Sequence, residues 1–364
     1  IPFSDWQRVS AKISGTIDFN NKFSASGSMG YTNSGGLRVP HDRIMETLQY
    51  WAYSQDPNDY INPDGSQRTY GNSNPLYTAR FWTYEDNVDR IIGNINLKYN
   101  ITDWFSLNYR LGLDTYSDQR EEILPGPLGV ANESPLSSTG FIEETRINSR
   151  NVTSTFIATF NHDITDRLNA TLRIGNDIFD IRRNTIVATG NEFVVPNFYH
   201  LSNVTEQLTG QSIFERRLIG LYGDLTLNYD DFLFLNITGR NDWSSTLPKD
   251  NRSFFYPSFN LGFVFSEVID LPDWVSYAKF RASYAEVGKD TNPYQTQLVY
   301  TTTDPLNGQV GFTRSNILGS NELKPERTSS VEFGLEANMF DNRLGLDFTW
   351  YQSNSADQIL QVPV

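Results

Sequence analysis

Cysteine is absent from the 364 residues, which removes disulfides, thiol nucleophiles and cysteine-based metal sites at once. Histidine is nearly absent too, since His41, His162 and His200 are the whole complement and share no ligand spacing that would suggest a zinc centre. Positive charge is in deficit: 29 Lys and Arg stand against 43 Asp and Glu, a formal charge of −14. Such a chain offers no basic face, so a nucleic-acid partner is not expected. No uninterrupted apolar run approaches the roughly 20 residues a spanning helix requires, and the mean hydropathy is −0.46. A helical membrane protein is thereby excluded, whereas a barrel is not, because half of each spanning strand is polar. Ile1-Pro2-Phe3 carries no basic and apolar leader, and Gln361 to Val364 is not an aromatic-terminated strand. Both ends are therefore expected to be cuts in a longer chain.

What is present is alternation. Ile91, Ile95, Leu97 and Tyr99 interleave with Asn94, Asn96 and Lys98, Ile92 being the exception, and Leu107, Tyr109, Leu111 and Leu113 interleave with Asn108, Arg110, Gly112 and Asp114. Successive side chains of a strand point to opposite faces, so each such stretch has one apolar and one polar side. Six hairpins follow from this pattern: about Val9 to Tyr31 through Asn20-Asn21, Val88 to Tyr116 through Thr102-Asp103, Asn151 to Ile181 through Ile164-Thr165-Asp166, Leu218 to Asp242 through Asp230-Asp231, Phe259 to Tyr284 through Ile269 to Trp274, and Val331 to Tyr351 through Asp341-Asn342. Between them lie polar segments expected to be long loops: Asn33 to Asn87, Ser117 to Arg150, Arg183 to Arg217, the shorter Ser244 to Ser253, and Glu286 to Glu326. Short turns on one edge and long loops on the other are the mark of an all-β, transmembrane antiparallel β-barrel, here with about 12 strands and long extracellular loops. Aromatic residues beside the turns, Phe19, Phe23, Tyr99, Trp104, Tyr229, Phe232 and Phe340, suit an interfacial girdle that meets outer-membrane lipid.

Candidate sites are sparse. Asn94, Asn96, Asn108, Arg110, Asp114, Arg173, Asn236 and Arg240 are expected to line a water-filled lumen, tuning passage rather than reacting. In the first loop, Asp42 is placed to cap a short helix carrying Ile44, Leu48 and Trp51. Beyond it, Trp51, Tyr53, Tyr60, Tyr70, Tyr77 and Trp82 offer rings with polar tips that suit packing within the loop, contact with a protein lid, or stacking on substrate. Asp56, Asn58, Asp59, Asn62 and Asp64 supply hard oxygens of the kind calcium takes, although these residues are turn formers first and no other cofactor is expected. Gly288-Lys289-Asp290 lacks the earlier glycine and the hydroxyl of a phosphate loop. Glu121-Glu122 and Glu143-Glu144 are sequence neighbours, so within each pair the carboxylates face opposite sides of a strand. No nucleophile and base stand together, and the protein is not expected to be an enzyme.

Three ordered blocks resemble the SusC-like (RagA-like) TonB-dependent outer-membrane transporters: RNDWSSTLPKDNRSFFYPSFNLGFVFSE from Arg240, KFRASYAEVGKD from Lys279, and NELKPERTSSVEFGLEANMFDNRLGLDFTWYQSNSADQIL from Asn321. The stretch from Tyr284 to Asp290 departs from the Tyr-Gly-x-x-Gly-Asn usual in that family. The resemblance implies that residues 1–364 are part of a 22-stranded barrel in the outer membrane of a Gram-negative bacterium, the plug domain and TonB box lying outside this stretch. It implies active import of a large nutrient, oligosaccharide or peptide. It further implies a SusD-like lipoprotein lid and energy from TonB-ExbB-ExbD, coupled through a part of the protein not present here. Two rival readings remain at the level of sequence: a passive porin or adhesin barrel, and a secreted all-β carbohydrate-binding domain whose sheets bury their apolar faces against each other.

Overall fold

The computed structural model describes residues 2–39, 41–63, 67–70, 73–125, 140–297, 300–302, 309, 311–314 and 318–361. One antiparallel sheet of 12 strands dominates it. In chain order these are β1 (Gln7–Asp18), β2 (Phe23–Arg38), β3 (Thr83–Asn100), β4 (Phe105–Leu124), β5 (Phe141–Thr165), β6 (Leu168–Phe193), β7 (Val204–Tyr229), β8 (Leu233–Ser244), β9 (Ser253–Val264), β10 (Val275–Lys289), β13 (Glu326–Met339) and β14 (Leu344–Ala356), each bonded to its neighbours in sequence. Two short strands, β11 (Tyr300–Thr302) and β12 (Phe312–Arg314), pair separately. Helices α1 (His41–Gln49) and α2 (Pro75–Phe81) sit between β2 and β3. No helix among the described residues is long and apolar enough to cross a membrane.

All six expected hairpins form. At Asp230-Asp231 both residues have positive φ, 51° and 57°, as the tight hairpin turns that match strand twist demand, and Asp tolerates that region better than most residues. Phe340 also has a positive φ of 57°, uncommon for a bulky residue; its ring stacks on Trp274 at 5.8 Å. The third turn falls later than expected, because β5 runs on to Thr165 and the chain reverses at Asp166-Arg167 beyond an irregularity between Asp163 and Thr165.

Register puts the alternating residues where their chemistry requires. Leu111 pairs with Ile95 and Ser154, Phe259 with Ile237, and Leu335 with Phe348, so apolar side chains share one face across the sheet. No second layer covers them: Ile13, Ile95, Leu111, Ile174, Leu221, Phe259, Leu335 and Phe348 are all exposed. That overturns the sandwich reading, in which these residues would be buried against another sheet. At the turn edge the aromatic residues touch in a belt, Phe19 on Phe23, Phe23 on Tyr99, Trp104 on Phe105, Phe105 on Phe160 and Tyr229 on Phe232.

The polar segments are less loop-like than expected. β6 and β7 run 26 residues each, about 85 Å along the strand, where one tilted crossing needs roughly 9–11 residues. Most of Arg183 to Arg217 is therefore strand projecting past the membrane, leaving only residues 194–203 between β6 and β7. The same extension shortens the loop expected over Ser117 to Arg150, whose centre lies outside the described residues. Polarity misled here, because a strand solvated on both faces loses the alternation that betrays it.

Candidate functional site

The polar face carries a lattice of charges held in cross-strand pairs. Arg90 grips Asp114 with Nε at 2.8 Å and Nη2 at 2.6 Å, Arg173 donates to Asp224 at 2.9 Å, and Asn236 donates to Asp224 at 2.9 Å and to Thr226 at 3.1 Å. Asn94 donates to Ser28 and Asn108 to Asn96, at 2.7 and 3.0 Å. Arg240 is the densest node: it donates to Asp242 at 2.8 Å and Asp177 at 2.6 Å, and lies over the Tyr222 ring at 5.5 Å. The Tyr256 hydroxyl also donates to Asp242. Glycine makes the node fit, since a Cβ at Gly175 would strike the Tyr222 ring and one at Gly220 the Arg240 guanidinium. Arg110 points from the same face and is exposed. All eight residues expected to line a lumen thus fall on one face. Asp177, Asp242, Tyr222 and Tyr256 join them and were not anticipated, though Arg240-Asn241-Asp242 carries the spacing that puts both charges on one side of a strand.

The first loop builds a small cap above β2 to β4. Val39, Ile44 and Ala79 form its core with Phe3 against it. On α1 the buried positions are Ile44 and Thr47, with Trp51 following the helix, whereas Leu48 is exposed, so the apolar face is turned from the one expected. The Asp42 side chain lies outside what is described. Asn74 caps α2 instead, accepting from the Leu76 and Tyr77 amides. Trp51 is 6% exposed, meets Tyr70 edge-on at 5.4 Å and donates to the Gln55 carbonyl at 3.0 Å. Tyr77 is fully enclosed against Phe81 at 4.5 Å, and burial pushes its hydroxyl pKa up to about 12. Trp82 donates to Glu122 at 2.7 Å and packs edge-on against Phe141. Tyr60 lies edge-on to Phe3. Only Tyr53 of the six stands wholly free, at 102% exposure.

The acidic oxygens of this loop are engaged within the protein. Asp56 accepts from the Asn58 amide at 2.9 Å and its side chain at 2.8 Å, bonds that hold its carboxyl below the usual range. Asp59 pairs with Arg68, and Asn62 accepts from Arg68 at 3.1 Å. Asp64 lies outside the described residues. Higher on β4, burial is the main cause raising the carboxyl pKa of Glu121 and of Glu122; Glu144 and Glu85 add to it at Glu121, and Glu143 at Glu122.

A second node ties the upper edge of the sheet. Asp290, beyond the end of β10, accepts from Arg216 Nε at 2.9 Å and Nη2 at 2.6 Å, from Ser244 at 2.5 Å and from Thr246 at 3.2 Å. Asn251 reaches the carbonyls of Glu322 and Leu323, Lys289 pairs with Glu326, and Arg327 donates to the Phe255 carbonyl. These bonds join residues 240–267, 279–290 and 321–360 to one another.

A sheet with one exposed apolar face, an aromatic belt at its turn edge and a charge-paired polar face defines an outer-membrane β-barrel protein. The chain belongs to the TonB dependent receptor-like β-barrel family, which matches residues 18–364. Members of that class reside in the outer membrane of Gram-negative bacteria, as this protein does. It is 25% identical over 330 residues to TonB-dependent receptor P26 of Formosa agariphila, covering 83% of this chain and 32% of that one. To TonB-dependent receptor P3 of the same organism it is 24% identical over 368 residues, covering 98% and 35%. The chain thus spans about a third of the length of these curated relatives. In fold it superposes on the RagAB peptide transporter with a TM-score of 0.82 at 18% identity, covering 99% of this chain and 42% of that one.

Proposed function

We propose that this barrel belongs to an active importer that carries a large nutrient, oligosaccharide or peptide, across the outer membrane. The observation that carries the reading is the polar face around Arg240, Arg173 and Arg90, a dense array of fixed charges and amides of the kind that surrounds water and a plug rather than lipid. Asn94, Asn96, Asn108, Arg110, Asp114 and Asn236 complete that lumen wall. The membership of the chain in a TonB-dependent family and its likeness to a peptide transporter support coupling to TonB-ExbB-ExbD through a portion of the receptor outside this stretch. Tyr53 and the rim of the first loop would meet a SusD-like lipoprotein lid. The edges β1 and β14, exposed at every residue, are paired by further strands of the receptor, since a bilayer does not tolerate open edges.

The test uses the full-length receptor in its host. Deleting its gene should abolish uptake of one labelled oligosaccharide or peptide class, and a protonophore should stop uptake by the intact strain to the same extent. Uptake that persists in de-energised cells would replace this reading with a passive pore.

A further inference from the structure

On the apolar side of the sheet, at the upper edge of its apolar band, two arginines stand directly opposite each other. Arg150 of β5 and Arg182 of β6 are cross-strand partners and half exposed, at 58% and 57% of their side chains. Like charges at such a position repel and destabilise the pair. Their protein counter-ions compensate only in part: Asp180 is 3.8 Å from Arg150 but already binds Arg217 at 2.6 Å, and Glu215 meets Arg182 at 3.1 Å. With Tyr31, Thr115, Asn148 and Asn184 the two guanidinium groups line a groove of about 400 Å³. Asp89, at its far wall, is occupied by Tyr31 and Asn33, which donate to it at 2.5 and 3.0 Å.

Height fixes what can enter. Ile91 lines the groove itself; on its turn side the outward face of β5 to β7 continues apolar with Val152, Ile178 and Ile219, whereas beyond it Ile213 and Ile186 stand among Arg146, Glu144, Gln211 and Thr209. Arg150 is ten positions above Phe160 in the aromatic belt, about 33 Å along the strand and about 23 Å in height at a ~45° tilt, at the upper edge of an apolar band of roughly 25 Å. That is the level of outer-leaflet headgroups. Arginine's planar fork is matched to phosphate oxygens, and an anion between two such forks turns their repulsion into attraction.

We infer that the outward groove between Arg150 and Arg182 is a binding site for the phosphate of an outer-leaflet phosphorylated glycolipid, which anchors the projecting sheet β4 to β7 at the membrane surface. The lipid's acyl chains lie along Ile178, Ile174 and Leu221, and its sugar hydroxyls meet Asn148, Asn184 and Thr115. The site is independent of what the receptor carries.

The test is native mass spectrometry of the full receptor purified from outer membranes in mild detergent, with phosphorylated glycolipid added back intact or after phosphatase treatment. Wild-type receptor should retain the intact lipid at least about tenfold better than the dephosphorylated one, and the double variant R150Q/R182Q should lose intact lipid by a similar factor, in keeping with two charge-assisted contacts. Arg327→Gln, an outward arginine on β13, should leave retention unchanged. Equal retention of both lipids by the wild type overturns the proposal, whether or not the double variant assembles. So does unchanged retention by that variant, and so does displacement of the lipid by millimolar inorganic phosphate, which would make this a site for the free ion.

Discussion

Replacing Asp290 by Asn keeps the shape of the side chain and deletes the charge that Arg216 grips with two nitrogens and that Ser244, at the end of β8, and Thr246, just beyond it, address. The Asp290 side chain is 6% exposed and that of Arg216 26%, so the guanidinium would be left in a poorly solvated place with a neutral neighbour. Breaking a buried pair from one side costs about 3–5 kcal/mol; with Arg216 partly solvated, about 2–3 kcal/mol is expected. The receptor's folded, fast-migrating form on unheated gels should give way at a lower temperature in Asp290→Asn, with proteolysis of the segment after Ser244 as the first event. A double variant Asp290→Asn with Arg216→Gln should recover part of the loss, because no lone charge remains. Asp290 was visible in the sequence only as the residue that spoils a phosphate loop. Its partners come from β7, from the last residue of β8 and from just beyond it, distances of 44 to 74 residues that no local spacing reveals.

At the scale of elements, the hairpins were legible because lipid imposes a strict period of two on one face and the turns announce themselves with Asn-Asn, Asp-Asp and Asp-Asn. The projecting parts of β4 to β7 were not, since water on both sides lifts that constraint and leaves Thr, Asn, Arg and Glu on either face. Leu48 went astray for a related reason. In α1 the cap is so small that Thr47, bonded to the Ile44 carbonyl at 3.1 Å, fills a place a leucine would take in a larger core. The projection also concentrates like charge. Glu121 sits between Glu85 and Glu144 on one face, and Glu122 pairs with Glu143 on the other. A carboxyl whose pKa is raised on folding favours the folded state when protonated. Its penalty is absent below the ordinary value of 4.5 and grows as pH rises from there through the raised value. Lowering the pH from neutral toward that value should therefore make β3 to β5 above the membrane more resistant to limited proteolysis. Glu121→Gln and Glu122→Gln should each raise resistance at neutral pH and flatten the pH dependence.

For the whole molecule the decisive matter is which solvent each face meets. Leu111 and Arg110 are neighbours on β4 that point to opposite sides, the first beside Ile95 and Ser154, the second beside Asn96 and Thr155. Leu111 lies six positions above Phe105 in the aromatic belt, about 14 Å in height at the usual tilt and so near the middle of the apolar band. An arginine there meets hydrocarbon and costs about 2–4 kcal/mol, whereas Arg110→Gln exchanges one hydrated side chain for another. Leu111→Arg in the full receptor should therefore reduce the folded fraction and its melting temperature, Leu111→Phe should preserve both, and Arg110→Gln should stay close to wild type. In a water-soluble setting the order would invert, since an exposed Leu111 would welcome a charge. Equal tolerance of Leu111→Arg and Arg110→Gln in unheated-gel melts would mean that the exposed face of the sheet does not contact lipid.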